Sequence, residues 1–156
     1  MSQFISTVDF SPVSELVIME TKALVIALKL KGTLLHVASP DPSFIGCHVG
    51  PREVRDSKAQ ELRHEHQMLD DLAEEFRQNN VEAQGRLVEG ATVGTILREA
   101  EKLGAEYIVV GSSGHGALYN TFFGSVSSGV IAGASCPVLV VPVRSNQAFR
   151  EGDSCG

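Results

Sequence analysis

The stretch GSSGHGALYNTFFGS, residues 111–125, carries Gly111, Gly114, Gly116 and Gly124 and no lysine or arginine. Glycine-rich turns between a strand and a helix often hold phosphates. Their backbone N–H groups can approach the anion closely, and the start of the helix favours negative charge. Gly111, Gly114 and Gly124 fall as Gly-x2-Gly-x9-Gly-Ser. That is neither the lysine-ended Walker A loop nor the GxGxxG dinucleotide fingerprint. Without a lysine, phosphate holding falls to the backbone donors of Ser125, Val126 and Ser127 and to the serine hydroxyls, with His115 the one ring able to add charge. The same spacing also suits a tight strand-to-helix turn with no ligand. The glycines alone do not choose between the two.

Other chemically able side chains are weaker candidates. In RHEHQ, His64 and His66 flank Glu65, and residues two apart on a helix point away from each other, which makes a poor chelate. Cys47 and His48 are adjacent, but no third residue is evident to orient them for nucleophilic catalysis. His36, in a strand, reads as a satisfied, partly buried histidine. Asp70, Asp71, Glu74 and Glu75 read as a solvated helix face.

The glycine stretch must be positioned by the elements around it. FISTV (4–8) reads as a strand, followed by Ser11 as N-cap and Pro12 at the first helical position. Along Leu16 to Leu30 the polar residues Glu15, Lys22 and Lys29 recur every seven positions, so the helix should be buried on more than one side, with Gly32 ending it. TLLHVAS (33–39) is a strand apolar on both faces except for His36, as in parallel sheets covered by helices. Residues 40–56, with Pro40, Pro42, Gly46, Gly50 and Pro51, form a long loop whose role is open. A polar surface helix, Ser57 to Asn80, follows with one stripe of Leu62, Leu69, Leu72 and Phe76.

VEAQGRLVEG (81–90) is a third strand, interrupted by Gly85. Thr92 caps a helix with Val93, Ile96, Leu97, Ala100 and Leu103 at helical spacing, closed by Gly104. EYIVVG is the fourth strand, 125–135 a short helix, CPVLVVPV the fifth strand, and 144–156 a polar tail. Strands alternating with helices imply a parallel α/β sheet with right-handed crossovers. Ligands of such sheets lie beyond the C-terminal strand ends, where the strand order reverses. Asp9, Val37 to Ser39 and Gly111 converge there.

A chain of 156 residues reads as one domain. Its net charge of −6 argues against nucleic acid or an anionic membrane as partner. Cys47, Cys136 and Cys155 are odd in number and share no short spacing, which suggests free thiols in a reducing compartment. The first residues lack the features of a signal peptide, and ALVIALKL (23–30) is too short to span a bilayer. A cytoplasmic protein is the expectation.

With its surroundings, AEKLGAEYIVVGSSGHGALYNTFFGSVSSGVIAGASCPVLVVPV, the glycine stretch resembles the C-terminal half of the universal stress protein family. VDFSP at the first strand end and TLLHV in the second carry the resemblance over nearly the whole chain to residue 143. It implies one domain over 1–143, and the polar residues 144–156 are expected to form a flexible tail. The implied fold is a five-stranded parallel open sheet in the order 3-2-1-4-5 with helices on both faces, of the adenine nucleotide alpha hydrolase-like, Rossmann-like kind. It further implies an adenine nucleotide pocket. Asp9 would lie near the adenine, with Thr7 at its edge and Val37 bonding the base through its backbone. Gly111, Gly114, Gly124, Ser125 and Val126 would wrap the ribose and phosphates, with Ser127 and His115 at the phosphate end. Many ATP-binding members carry arginine or lysine between the second and third glycines, and this chain has none. Asp9 equally suits the start of the first helix, and Val37 the core.

The resemblance implies an ATP-binding stress-response or regulatory module of the cytoplasm, with slow ATP hydrolysis in the same pocket as the alternative. Hydrolysis wants a positioned water, a metal and a charge stabiliser. The glycine stretch offers hydroxyls and His115 but no lysine or arginine finger, so binding is preferred and no catalytic or metal-ligating residue is assigned. Magnesium could accompany the phosphates. A flavodoxin-like FMN site would want loop aromatics, and the chain has no Trp and two Tyr. A phosphorelay receiver would need an acidic cluster, and Asp9 stands alone. PVLVVPV (137–143) would be an edge strand, and the resemblance implies a homodimer through it.

Overall fold

A computed structural model describes residues 2–11, 14–40, 52–112 and 124–142. Along the chain run β1 (Gln3–Thr7), α1 (Ser14–Leu28), β2 (Lys31–Ala38), α2 (Arg52–Gln78), β3 (Ala83–Glu89), α3 (Thr92–Leu103), β4 (Tyr107–Gly111), α4 (Ser125–Gly133) and β5 (Val138–Val141). The strands form one parallel sheet in the order β3-β2-β1-β4-β5, as expected.

Alternation along the strands divides the core. Phe4 and Leu34 face Val25 of α1 and Leu69, Ala73 and Phe76 of α2. Their neighbours Ile5 and Leu35, with Ile108 and Val110, face Ile96 and Ala100 of α3 and Val130 of α4. Helices α1 and α2 therefore cover one face of the sheet, and α3 and α4 the other. The central strands are buried on both sides, which is why they read as continuous apolar runs.

Several local readings are corrected. Helix α1 stops at Leu28, and Lys29 takes the left-handed turn at φ 53°. Gly32 belongs to β2, in register with Phe4, where a Cβ would meet the Phe4 carbonyl oxygen at 2.0 Å. It serves close strand approach rather than helix termination. Although apolar around most of its surface, α1 is buried on one side only: Met19, Ile26 and Leu28 remain exposed. It begins at Ser14, and Pro12 lies outside the described residues.

Helix α2 starts at Arg52, so 52–56 are helical where a loop was expected. A proline immediately before good helix formers is a start signal as much as a loop signal. Gly85 does not interrupt β3; Leu69 of α2 packs so closely that a Cβ there would meet its Cβ at 2.8 Å. The cap of α3 is Ala91 rather than Thr92, directly after Gly90 at φ 158°. Gly104 closes α3 at φ 62° as expected. Residues 41–51, including Cys47 and His48, and the tail 144–156 lie outside the described residues. Among those described, no helix is long and apolar enough to cross a membrane.

Candidate functional site

The C-terminal ends of β1, β2 and β4 and the start of α4 surround a cavity of about 340 Å³. It lies at the point where connections diverge, with β2 on one side of β1 and β4 on the other. Thr7 and Asp9 line it from β1, Val37 from β2, Gly111 from β4, and Gly124, Ser125, Val126 and Ser127 from the head of α4. Gly114 and His115 lie outside the described residues.

The head of α4 is suited to an anion. Gly124 is its N-cap, extended at φ −71° and ψ 169°, with no side-chain capping bond. The Ser128 N–H donates to the Gly124 carbonyl at 3.0 Å. The preceding N–H groups, of Ser125, Val126 and Ser127, stand ahead of that bond and have no carbonyl one turn back to meet within the helix. Ser125 and Val126 are exposed, whereas Ser127 is buried. The Ser127 hydroxyl lies 3.0 Å from the Ser112 carbonyl oxygen and 3.1 Å from that of Gly124. Its side chain therefore ties α4 to the end of β4.

Asp9 joins the cavity wall to the start of α1. Its Oδ1 accepts from the Ser11 N–H at 2.9 Å, the Ser11 hydroxyl at 2.6 Å and the Ser14 hydroxyl at 2.5 Å. The Asp9 N–H donates back to the Ser14 hydroxyl at 3.0 Å. The helix-start role weighed for Asp9 is thus present in the geometry, on the same residue that lines the cavity. The Thr7 hydroxyl donates to the Val109 carbonyl at 3.4 Å, linking β1 to β4.

His36 also lines the cavity. Its Nδ1 lies 2.6 Å from the Val8 carbonyl, its Nε2 3.5 Å from Glu65 Oε1, and its ring centroid 4.8 Å from that of Phe10. It is the satisfied, partly buried histidine that its strand position suggested. Glu65 turns towards His36, while His66 lies 3.5 Å from Asp70 one turn along α2. No group of three potential metal ligands occurs among the described residues. Thr92 and Ile96 of α3 also reach the cavity. Their helical spacing marked them as cap and core, and no local signal separated a cavity-lining position from those roles. Among the described lining residues the titratable side chains are Asp9 and His36, with no lysine or arginine.

Residues 3–142 match the sequence model of the universal stress protein family. The chain belongs to that family. This universal stress protein is 40% identical over 70 residues to universal stress protein MJ0531 of Methanocaldococcus jannaschii, and 35% identical over 74 residues to universal stress protein YxiE of Bacillus subtilis. Those alignments span 45% and 47% of this chain, and 39% and 50% of the relatives' own lengths.

Among solved structures, hypothetical protein MJ0577 superposes with a TM-score of 0.77 at 23% identity, covering 92% of this chain and 97% of that one. A universal stress protein in complex with cAMP gives 0.64 at 18% identity over 92% and 98% of the two chains. The universal stress protein of Archaeoglobus fulgidus in complex with dAMP gives 0.58 at 20% identity over 90% and 97%. At these identities the likenesses establish the fold. Two of these proteins of the same fold carry an adenine nucleotide.

Proposed function

We propose that this universal stress protein binds an adenine nucleotide, ATP in the cell, in the cavity at the β1–β4 divide, and acts as a nucleotide-dependent stress-response or regulatory module of the cytoplasm. The observation that carries the reading is that the head of α4 opens into the same cavity as Thr7, Asp9 and Val37. In this reading the Val37 backbone bonds the adenine, with Thr7 and Asp9 at that end. Gly111, Gly114, Gly124, Ser125 and Val126 wrap the ribose and phosphates. Ser127 sets the aim of the donors, and His115 adds charge beside the phosphates. The cAMP and dAMP carried by proteins of this fold supply the adenine part of the proposal. Magnesium would travel on the phosphates, completed by water.

Binding is preferred to catalysis because the titratable side chains in the described lining are already engaged. Asp9 Oδ1 serves the start of α1, and His36 contacts Val8 and Glu65. Slow ATP hydrolysis remains the alternative role of the same pocket. The proposed domain runs over 1–143, with 144–156 a tail. A homodimer through β5 is part of the proposal: β5 is the edge strand, and Leu139 on it is 39% exposed. Pro142, lacking an N–H, limits how far an intermolecular ladder could run.

A fluorescent ATP analogue tests the nucleotide reading. Its emission should rise on adding the protein and fall back when unlabelled ATP competes. Failure of ATP or AMP to displace it would count against the site. Sedimentation velocity over a dilution series tests the dimer, and only monomer at every concentration would defeat it.

A further inference from the structure

Helices α1 and α2 cover the same face of the sheet but leave between them a groove of about 510 Å³. Its apolar lining comes from Val8, Phe10, Ile18, Met68 and Leu72. The carboxylates of Glu15, Asp71 and Glu75 complete its edges, and no lysine or arginine lines it among the described residues. Lys22 pairs with Glu75 beside the groove. Among the described residues, Asp71 accepts from the neutral amide of Gln67, at 3.0 Å. Glu15 and Asp71 are exposed, so much of the edge's negative charge faces solvent.

Phe10 has φ 57°, in the left-handed region that a bulky residue seldom adopts. Such outliers cluster where a surface has a use. That backbone seats the ring against His36 while leaving it part of the groove. Met68 adds a side chain able to refit around different apolar shapes.

We infer that the α1–α2 groove docks a segment of a partner protein presenting an apolar side chain between basic ones. The apolar floor takes the anchor, and the carboxylate edges select flanking lysine or arginine and disfavour an acidic segment. A helix laid into an apolar groove is a recurrent recognition mode. The groove shares Val8 and Ser14 with the nucleotide cavity, yet the inference stands without the nucleotide and is tested without it.

The probe is a short synthetic peptide with leucines at helical spacing flanked by lysines, labelled for fluorescence anisotropy. Its counterpart has every lysine replaced by glutamate. The full chain should bind the lysine peptide and not the glutamate one. Glu15→Gln combined with Asp71→Asn should weaken binding roughly tenfold. Both positions are exposed, and an unchanged urea midpoint shows that the variant is folded. Amide shifts in two-dimensional NMR should centre on Phe10, Ile18, Met68 and Leu72. Equal binding of both peptides, equal binding by wild type and variant, or shifts centred elsewhere would overturn the inference. So would groove shifts that follow protein dilution without peptide, which would make a second copy the occupant.

Discussion

The Gly124 N–H donates to the Ser112 carbonyl at 2.6 Å, although the whole stretch 113–123 lies between them in sequence. The Ser127 hydroxyl lies 3.0 Å from the same carbonyl, and the Ser112 N–H donates to Val141 of the edge strand at 2.9 Å. One carbonyl thus fixes the start of α4 against the end of β4. The aim of the first N–H groups of α4 is set by the sheet itself.

Ser127→Ala should test that anchor. Losing a buried hydroxyl bonded to backbone carbonyls should cost about 1–2 kcal/mol in urea denaturation, and nucleotide affinity should fall several-fold. Unchanged stability would mean that the hydroxyl does not hold the two elements together.

Gly124→Leu separates fold from binding. With φ −71°, Gly124 sits where any residue is at ease, so a side chain should not strain the backbone. That side chain would project beside the cavity that Gly124 lines. ATP affinity should drop at least about tenfold, a loss of roughly 1.4 kcal/mol of binding, while the urea midpoint stays at the wild-type value. Wild-type affinity would mean that the phosphates lie elsewhere.

Three glycines give opposite signs on substitution by alanine. At Gly32 the new Cβ would meet the Phe4 carbonyl oxygen at 2.0 Å, and at Gly85 it would meet Leu69 Cβ at 2.8 Å and its carbonyl carbon at 2.9 Å. Backbone cannot move aside cheaply, so each variant should lose about 1–3 kcal/mol, Gly32→Ala the more. Gly94, inside α3, would meet nothing within 4 Å. Gly94→Ala should gain about 0.5–1 kcal/mol from helix propensity. Thermal unfolding of the three variants checks both signs.

These glycines also show why the fold was more legible than its details. A parallel sheet with right-handed crossovers follows from alternating strand and helix signals that recur along the whole chain, so one weak strand such as β3 does no damage. The strand order is implied by the family resemblance, not by the alternation. In the sequence Gly32 and Gly85 look like punctuation, whereas their function is to let Phe4 and Leu69 come close. That cause lies in residues distant in sequence. Arg52 to Asp56 look like loop in the sequence because Gly50 and Pro51 are stronger local signals than the helix formers after them. At the site, Gly111 and Gly124 of the glycine spacing and Asp9 and Val37 at the strand ends line one cavity, whereas Gly114 lies outside the described residues. Thr92, Ile96 and His36 joined them only through the crossover of α3 and the pairing of β1 with β2, which local pattern does not encode.

Burial raises the pKa of the Cys136 thiol above its ordinary value. A raised thiol pKa leaves less thiolate near neutral pH, and the thiolate is the nucleophile. Iodoacetamide should therefore label Cys136 more slowly than a small model thiol at pH 7.5, with the gap narrowing as the pH rises. Peptide mass spectrometry follows the rate at this residue. Labelling as fast as the model thiol would place Cys136 in a more open setting.

The central claim is that backbone donors at the head of α4, without lysine or arginine, hold the phosphates of an adenine nucleotide. Isothermal titration of nucleotide-free protein with ATP, magnesium present, tests it most directly. The account predicts one saturable site per chain with a dissociation constant of roughly micromolar or tighter, about −8 kcal/mol. No heat at millimolar ATP, with the protein folded, would contradict it and leave the glycines as turns alone.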